Sequence, residues 1–340
     1  LRHRQASGSG TADAVRALWY SAAGQAELRQ ERLPIPGPDE VRARTLWTGL
    51  SRGTERLVFE GRVPEAVAGR MRAPAQGGDF SFPVKYGYCA VAETEDGERV
   101  FALQPHQEAF VAPRAALCPL PEGLPPRRAV LAANMETALN ALWDSGAGPG
   151  DQIAVVGGGV VGLLVAHLCA GLPGTEICLI DRDPARAETA RALGLAFALP
   201  EAAKLEADIV FHASASEAGL ALALSLAGEE ATIVELSWYG ETAIAAPLGL
   251  AFHARRLRLV ASQVGAVAAS RRPRWSHRRR LLKALDLLRD DRLDALLTEE
   301  IAFADLPAAL PRLLSPGAPG LCTVIRYEGS ARSRCNRALP

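Results

Sequence analysis

A chain of 340 residues, 49% hydrophobic and 22% charged, carries enough apolar material for more than one core and too much to remain disordered. Lys plus Arg and Asp plus Glu stand at 38 each, so no global field recommends nucleic acid or an anionic membrane as a partner. Its apolar stretches are short and broken by Gly, Pro or charge, which excludes a membrane-spanning helix of the usual length.

The stretch Leu1–Gly10 is polar and lacks the apolar centre of a secretory signal; residues 1–12 are expected to be a disordered lead. Residues 13–124 read as a β-rich domain of short strands and prolines. Leu33-Pro-Ile-Pro-Gly-Pro-Asp-Glu is a stiff turn, since each proline fixes φ and removes a ladder donor. Beyond it Val41, Ala43, Thr45 and Trp47 alternate with Arg42, Arg44 and Leu46, the period of a half-buried strand. Further strands are expected near Tyr88–Glu93, Val100–Leu103 and Phe110–Pro113, with Glu60–Arg72 a loop or short helix.

Pro125 and Pro126 open a different texture over residues 125–264. Ala129–Trp143 predicts one helix ending before Gly146. Strands at Gln152–Val156, Glu176–Ile180, Asp208–Ala213, Ala231–Leu236 and Arg258–Ser262 then alternate with helices at Val160–Ala170, Pro184–Leu193 and Ala218–Leu226. That alternation predicts an α/β fold, a parallel sheet with helices on both faces. Residues 265–340 carry a helix at Arg278–Arg289 and a last strand at Leu321–Tyr327, and are expected to return to the first domain.

Within the second domain Gly157, Gly159 and Gly162 form G-x-G-x-x-G between a buried strand and a helix that opens with Val160 and Val161. There the first glycine permits the tight turn, the second lets backbone approach a pyrophosphate, and the third lets helix and strand pack closely. The helix N-terminus supplies free N–H groups for the phosphates. Asp181, about twenty residues past Gly162, ends the next strand, where an acid accepts hydrogen bonds from the adenosine ribose. Its charge opposes a 2′-phosphate, so NAD is expected over NADP. Arg182 and Arg186 beside it temper that preference. Ala213 and Ser214, then Ser237 and Gln263, close later strands on the same edge and are candidate neighbours of the adenosine and nicotinamide halves. Trp238 and Tyr239 could wall an aromatic pocket there.

The six cysteines, Cys89, Cys118, Cys169, Cys178, Cys322 and Cys335, show no C-x-x-C pair and no spacing to His that suits zinc. They read as small buried hydrophobes of a protein from a reducing cytoplasm. His106, His212 and His253 lack partners at a recognisable spacing and read as structural. Arg271–Arg280 is the one dense basic run; it reads as a solvated loop and helix start, or as a clamp for an anionic substrate.

The order of these parts resembles the medium-chain dehydrogenases of the alcohol dehydrogenase superfamily, over about Val15 to Tyr327. The resemblance rests on Pro34-Ile-Pro-Gly-Pro-Asp-Glu-Val, Thr48-Gly-Leu-Ser-Arg-Gly-Thr-Glu, Val155–Gly162 with Asp181-Arg-Asp-Pro-Ala-Arg, and Leu306-Pro-Ala-Ala-Leu. It implies a GroES-like barrel beside a Rossmann domain, with the active site in the cleft between them. Zinc members carry ligands where this chain has Ser51, Tyr88 and Ala133 or Asn134, so the comparison implies a site without zinc. Ser51-Arg-Gly-Thr-Glu55 looks like the zinc-free branch that includes bacteriochlorophyllide a dehydrogenase, an oxidiser of a secondary alcohol on a tetrapyrrole. Homodimerisation across the strand near Arg258–Ser262 is implied by the same resemblance.

Without a metal, another group must handle the substrate oxygen and its proton. Tyr88 could donate to a developing alkoxide, its pKa lowered by Lys85 or Arg52, with Ser51 as a second donor. The competing reading is that Tyr88 fills the volume the metal would occupy. Glu55 and Glu136 are the nearby carboxyl groups, Glu136 as a proton relay or an orienting partner for Arg52 or Lys85. Thr137 falls, by resemblance, near the nicotinamide carboxamide and ribose. The expected activity is hydride transfer between NAD(H) and a secondary alcohol or ketone of a fairly large, even cyclic, substrate. A zinc-free quinone or enone reductase and a nucleotide-binding protein without turnover are the alternatives.

Overall fold

The computed structural model describes residues 14–328; the lead expected over residues 1–12, and Cys335, lie outside them. The first domain opens with a hairpin, Ala14–Ala22 against Gln25–Arg32, turned at Gly24 with φ of 72°. This hairpin belongs to a four-stranded sheet, and a second sheet of seven strands is built around Glu40–Leu50 (β1). β1 pairs with Ala90–Thr94 along one part of its length, with Ala109–Pro113 through residues 40–44, and with Cys322–Arg326 through residues 47–50.

Val41, Ala43 and Thr45 of β1 point inward as the alternation predicts. The register then shifts between Thr45 and Trp47, so Leu46 and Thr48 turn into the core and Trp47 is left half-buried. One displaced residue in a ladder reverses the face that every later side chain meets. That reversal points Thr48 into the interior just ahead of Ser51. The barrel expected of this domain takes the form of two open sheets, neither strand path closing on itself among the described residues. They meet at residues 106–108, where Pro105 interrupts the chain and only an isolated bridge, Ala17 to Gln107, joins them.

A short helix, Arg52–Phe59 (α1), follows β1 and buries Glu55, Leu57, Val58 and Phe59. The sequence reading had no helix there; the segment Glu60–Arg72 contains one at Glu65–Met71. The single helix expected over Ala129–Trp143 is split into Pro126–Ala129 and Ala132–Ser145 (α2). The break falls where β1 comes closest: a Cβ on Gly49 would sit 3.1 Å from that of Val130. α2 ends at Gly146, whose φ of 74° supplies the left-handed stop.

The second domain is a six-stranded parallel sheet of Gln152–Val156 (β2), Glu176–Ile180 (β3), Ala196–Ala198 (β4), Ala207–His212 (β5), Ala227–Glu235 (β6) and Arg258–Ala261 (β7). Its order is β4–β3–β2–β5–β6–β7, every neighbouring pair parallel. The chain therefore reverses direction across the sheet between β2 and β5, and ligands of such sheets bind outside the carboxyl ends at that switch. Val160–Ala170 (α3) leaves β2, Glu217–Leu226 (α4) leaves β5, and His277–Leu287 (α5) packs against α2. β2 is apolar and buried from Ile153 to Val156, as a strand covered on both faces must be.

One apolar core joins the domains. It holds Val91 and Phe101 from the larger sheet, Met135 from α2, Ile153 and Leu163 from the dinucleotide half, and Leu285 from α5. Four of the five described cysteines, Cys89, Cys118, Cys169 and Cys322, are buried free thiols, and Cys178 is partly covered. No helix among the described residues is long and apolar enough to cross a membrane.

Gly162 is the tightest point of this packing, since a Cβ there would lie 1.9 Å from the Gly157 carbonyl oxygen. Backbone cannot yield as a side chain does, so Gly162→Ala should cost about 3 kcal/mol or more by overpacking. Chemical denaturation should show this as a lower midpoint. An unchanged midpoint would mean that β2 and α3 are not so closely packed.

Candidate active site

Ser51 sits at the start of α1, yet its hydroxyl does not cap the helix. Glu55 reaches back instead, its Oε1 accepting the Ser51 backbone N–H at 2.7 Å. The Ser51 Oγ is thereby left to side chains: Tyr88 donates to it at 2.7 Å and Asn134 Nδ2 at 3.4 Å. Ser51, Tyr88 and Asn134, positions that the family resemblance sets against zinc ligands, thus converge in space. Two hydroxyls and a carboxamide are not a zinc donor set. Among the described residues no cluster of three or more His, Cys, Asp or Glu could hold a metal. The residues present do not fit a catalytic zinc.

Behind Ser51 lies a buried polar chain. Glu55 Oε2 accepts from Tyr20 at 3.1 Å and meets His106 Nε2 at 3.0 Å. His106 Nδ1 lies 2.7 Å from Thr48 Oγ1, which lies 3.3 Å from the Tyr327 hydroxyl. With Nε2–H donating to Glu55, Nδ1 accepts from Thr48, and Thr48 in turn accepts from Tyr327. Every member of the chain is satisfied, as so deep a polar group requires. His106, expected to lack partners, is held by Glu55 and Thr48 in the interior.

The activation expected of Tyr88 is not seen. Burial pushes its pKa well up, the neighbouring Cys89 and Glu55 add to the rise, and hydrogen bonding with Ser51 and Thr54 offsets only part of it. The proposed cations are engaged elsewhere: Lys85 pairs with Glu31 at 2.6 Å, and Arg52 donates to the carbonyls of Ala318, Pro319 and Gly320. Tyr88 stands here as a hydrogen-bond donor to Ser51 with its pKa raised rather than lowered. Glu136 is likewise corrected. Its partner is neither Arg52 nor Lys85 but Arg280, whose Nε lies 2.9 Å from Oε1 in the interior. Burial raises the Glu136 pKa, and the Arg280 charge and hydrogen bond offset part of that rise. Thr137 turns its hydroxyl back to the Ala133 carbonyl at 3.0 Å, within its own helix.

The dinucleotide cradle is built as its glycines imply. Gly157 has φ of 113°, and a Cβ on it would strike Ala213 at 2.7 Å, so β2 and β5 pinch together at the switch point. A Cβ on Gly159 would meet nothing within 4 Å, which leaves open space above the N-terminus of α3. Gly159 offers α3 no side-chain cap, so the first-turn N–H groups near Val160 and Val161 face that space. Asp181 is fixed by two backbone donors, Gly158 N–H at 2.6 Å and Asp183 N–H at 2.8 Å. These residues fit a dinucleotide.

Arg182 is exposed, whereas Arg186 pairs with Asp183 at 3.3 Å and donates to the Gly320 carbonyl at 2.8 Å. Gly320 belongs to the loop that Arg52 and Arg56 also hold by its carbonyls. Burial lowers the Arg52 pKa, and the charges of Arg56 and Arg186 lower it further, so three guanidinium groups crowd the seam between the domains.

Ser214, His212 and Glu235 form a hydrogen-bonded row at the ends of β5 and β6. His212 Nε2 lies 2.7 Å from Ser214 Oγ, and its Nδ1 lies 2.7 Å from Glu235 Oε2. The row has the order of a hydrolase triad, but Ser214 Oγ faces α4, where a Cβ on Gly219 would lie only 2.0 Å away. No acyl group could be accommodated there; the row ties two loops together. Ser237 joins them, giving its N–H to Glu235 at 2.7 Å and accepting from Ala215 N–H at 3.0 Å. Tyr239, expected to wall a pocket, donates to Glu235 at 3.1 Å. Gln263 is exposed beyond β7 and accepts from the Gly265 N–H at 2.7 Å.

The basic run is largely engaged in structure. Arg280 is buried, Arg278 donates to the carbonyls of Ala115 and Leu117, and Arg271 and Arg279 flank the Trp143–Trp275 pair.

No family model matches the chain. Solved structures do. A zinc-binding dehydrogenase from Sinorhizobium meliloti bound to NADP superposes with a TM-score of 0.74 at 18% identity, over 92% of this chain and 99% of that one. An alcohol dehydrogenase from Escherichia coli complexed with NADH gives 0.72 at 16%, with the same shares covered. The 2R,3R-butanediol dehydrogenase of Bacillus subtilis gives 0.73 at 17%, again over 92% and 99%. The chain has the fold of these dehydrogenases over 92% of its length.

All five tyrosines, Tyr20, Tyr86, Tyr88, Tyr239 and Tyr327, have pKa values raised first of all by burial. The folded protein should show no tyrosinate absorbance step near the ordinary value of about 10. The unfolded chain releases these protons there while the folded one holds them. Stability from this source is therefore intact below that pH and falls above it, and tyrosinate should appear together with loss of near-ultraviolet dichroism. One tyrosine titrating at or below the ordinary value, and absent in Tyr88→Phe, would restore Tyr88 as a base. Glu55→Ala should strand the Ser51 N–H, Tyr20 and His106 and cost about 3 kcal/mol or more in a denaturation experiment.

Proposed function

We propose that the protein is a metal-independent oxidoreductase that moves hydride between NAD(H) and the secondary alcohol or ketone of a fairly large substrate. The observation that carries this reading is the open cradle at Gly157, Gly159 and Gly162 beside an oriented Asp181, in a chain whose Ser51 and Tyr88 form a hydroxyl pair rather than a metal site. Two of the structures named above hold NADP or NADH in the same fold, which supports a nicotinamide partner. Asp181 supports NAD in particular: both its oxygens are held by backbone donors, and a 2′-phosphate would meet its charge. Arg186, already joined to Asp183 and Gly320, is poorly placed to offset that repulsion.

The bound nicotinamide supplies hydride transfer, and the protein positions the substrate and manages one proton. Ser51 Oγ already accepts from Tyr88 and Asn134, so its own hydrogen is free to be donated. It would point at the substrate oxygen and polarise a carbonyl, with Tyr88 behind it strengthening the donor through a chain of hydroxyls. Tyr88, holding its proton, supports Ser51 rather than replacing it. The exposed edge strand β7, where Leu259 is 40% exposed, supports a homodimer formed across it.

Calorimetric titration with NADH and NADPH tests the reading, with metal content measured on the same sample. Tight NADH and weak NADPH binding is expected, and Asp181→Ala should narrow the difference by about tenfold or more. Failure to bind either cofactor, or stoichiometric zinc, would overturn the proposal. Where binding holds, a screen of secondary alcohols and ketones should reveal turnover that Ser51→Ala lowers by about a hundredfold. Cofactor binding with no turnover across that screen would favour a binding protein on a dehydrogenase scaffold.

A further inference from the structure

Three polar residues of α2, Glu136, Asn140 and Asp144, recur every fourth position and so lie along one face. All three are directed at the segment that follows β7. Asp144 Oδ2 accepts from Ser262 Oγ at 2.7 Å and from Asn140 Nδ2 at 2.9 Å. Asn140 Oδ1 accepts from the Ala268 N–H at 3.0 Å. Glu136 binds the Nε of Arg280, and Arg280 extends to Asn140 Oδ1 and to the carbonyls of Val264 and Ala266. Residues 262, 264, 266 and 268 are thus gripped, while Gln263 and Gly265 are exposed. The Ala266 N–H donates to the Gln263 carbonyl at 3.2 Å, so the segment is a turn pinned on both sides of its exposed tip.

Arg280 is 1% exposed, and Glu136 is the one carboxylate paired with it. Burying such a pair is costly and seldom stabilises a fold over an apolar substitute, so a role in placing the segment accounts better for its presence. The segment leaves the carboxyl end of β7, on the edge of the sheet where the dinucleotide lies. The helix that grips it also places Asn134 against Ser51.

We propose that Arg280, seated on Glu136 and Asn140, is a positioning residue that holds the 262–268 segment as the wall for the nicotinamide half of the cofactor. This rests on the dinucleotide reading given above. The adenosine half is held by Gly157–Asp181, which the latch does not touch, so its loss should be felt by one half of the ligand alone.

Titration with NADH and with ADP-ribose, which lacks the nicotinamide, separates the two halves. The wild-type protein should bind both. Arg280→Met should bind ADP-ribose unchanged and NADH at least tenfold more weakly, with loss of the fluorescence enhancement of bound NADH. Arg280→Lys, which keeps the charge but not the fork, should fall between. Ser262→Ala removes a single hydroxyl and leaves the buried ion pair intact, so it reads the same effect if Arg280→Met does not fold; about threefold weaker NADH binding with unchanged ADP-ribose is expected. Variants that bind NADH as well as wild type, or that lose both ligands equally, overturn the latch alone. Wild-type protein that binds neither ligand overturns the dinucleotide reading and the latch with it.

Discussion

A carboxyl group with no exposed surface must be given donors, and the way Glu55 obtains them shapes the first domain. Its three donors come from the hairpin through Tyr20, from the residue ahead of α1 through the Ser51 backbone, and from the junction of the two sheets through His106. Glu55 therefore fixes how the sheets meet. Because it takes the Ser51 N–H, it also leaves the Ser51 hydroxyl directed outward from the network. The inward turn of Thr48, caused by the register shift in β1, completes the far end of the same chain.

α2 transmits that arrangement to the second domain. Its first turn carries Asn134 to Ser51, its middle carries Met135 into the shared core, and its polar face reaches the segment after β7. A helix is rigid over this length, so the hydroxyl pair and the segment after β7 are held at a set separation. Their spacing is then a property of one element and its contacts.

The sequence made the second domain readable because its signals are local. The glycine pattern, the apolar strand before it and Asp181 after it are each decided by neighbours within about twenty residues, and the sheet order agrees with them. The convergence of Ser51, Tyr88 and Asn134 was legible only through family resemblance. The partners of His106, His212 and Arg280 were not legible at all. Arg280 meets Glu136 across 144 residues, and His106 meets Glu55 across 51. Periodicity carries no information about such pairings, and a dense basic run hides the one arginine that is buried. The displaced residue in β1 was equally silent, because its alternating pattern continues unbroken in the sequence through Trp47.

The loop at residues 314–320 has a consequence beyond holding the domains together. Arg52 and Arg56 meet it through backbone carbonyls, and carbonyl dipoles orient a cation without cancelling its charge. Arg186 meets it too but shares its charge with Asp183, so the positive charge at this seam that carbonyls alone hold is that of Arg52 and Arg56. On the dinucleotide reading proposed above, low-dielectric walls would focus that charge outward and draw an anionic ligand in before it makes any contact. Capture would then be governed by ionic strength and retention by the cradle itself, so that salt alters how fast the protein fills more than how firmly it holds.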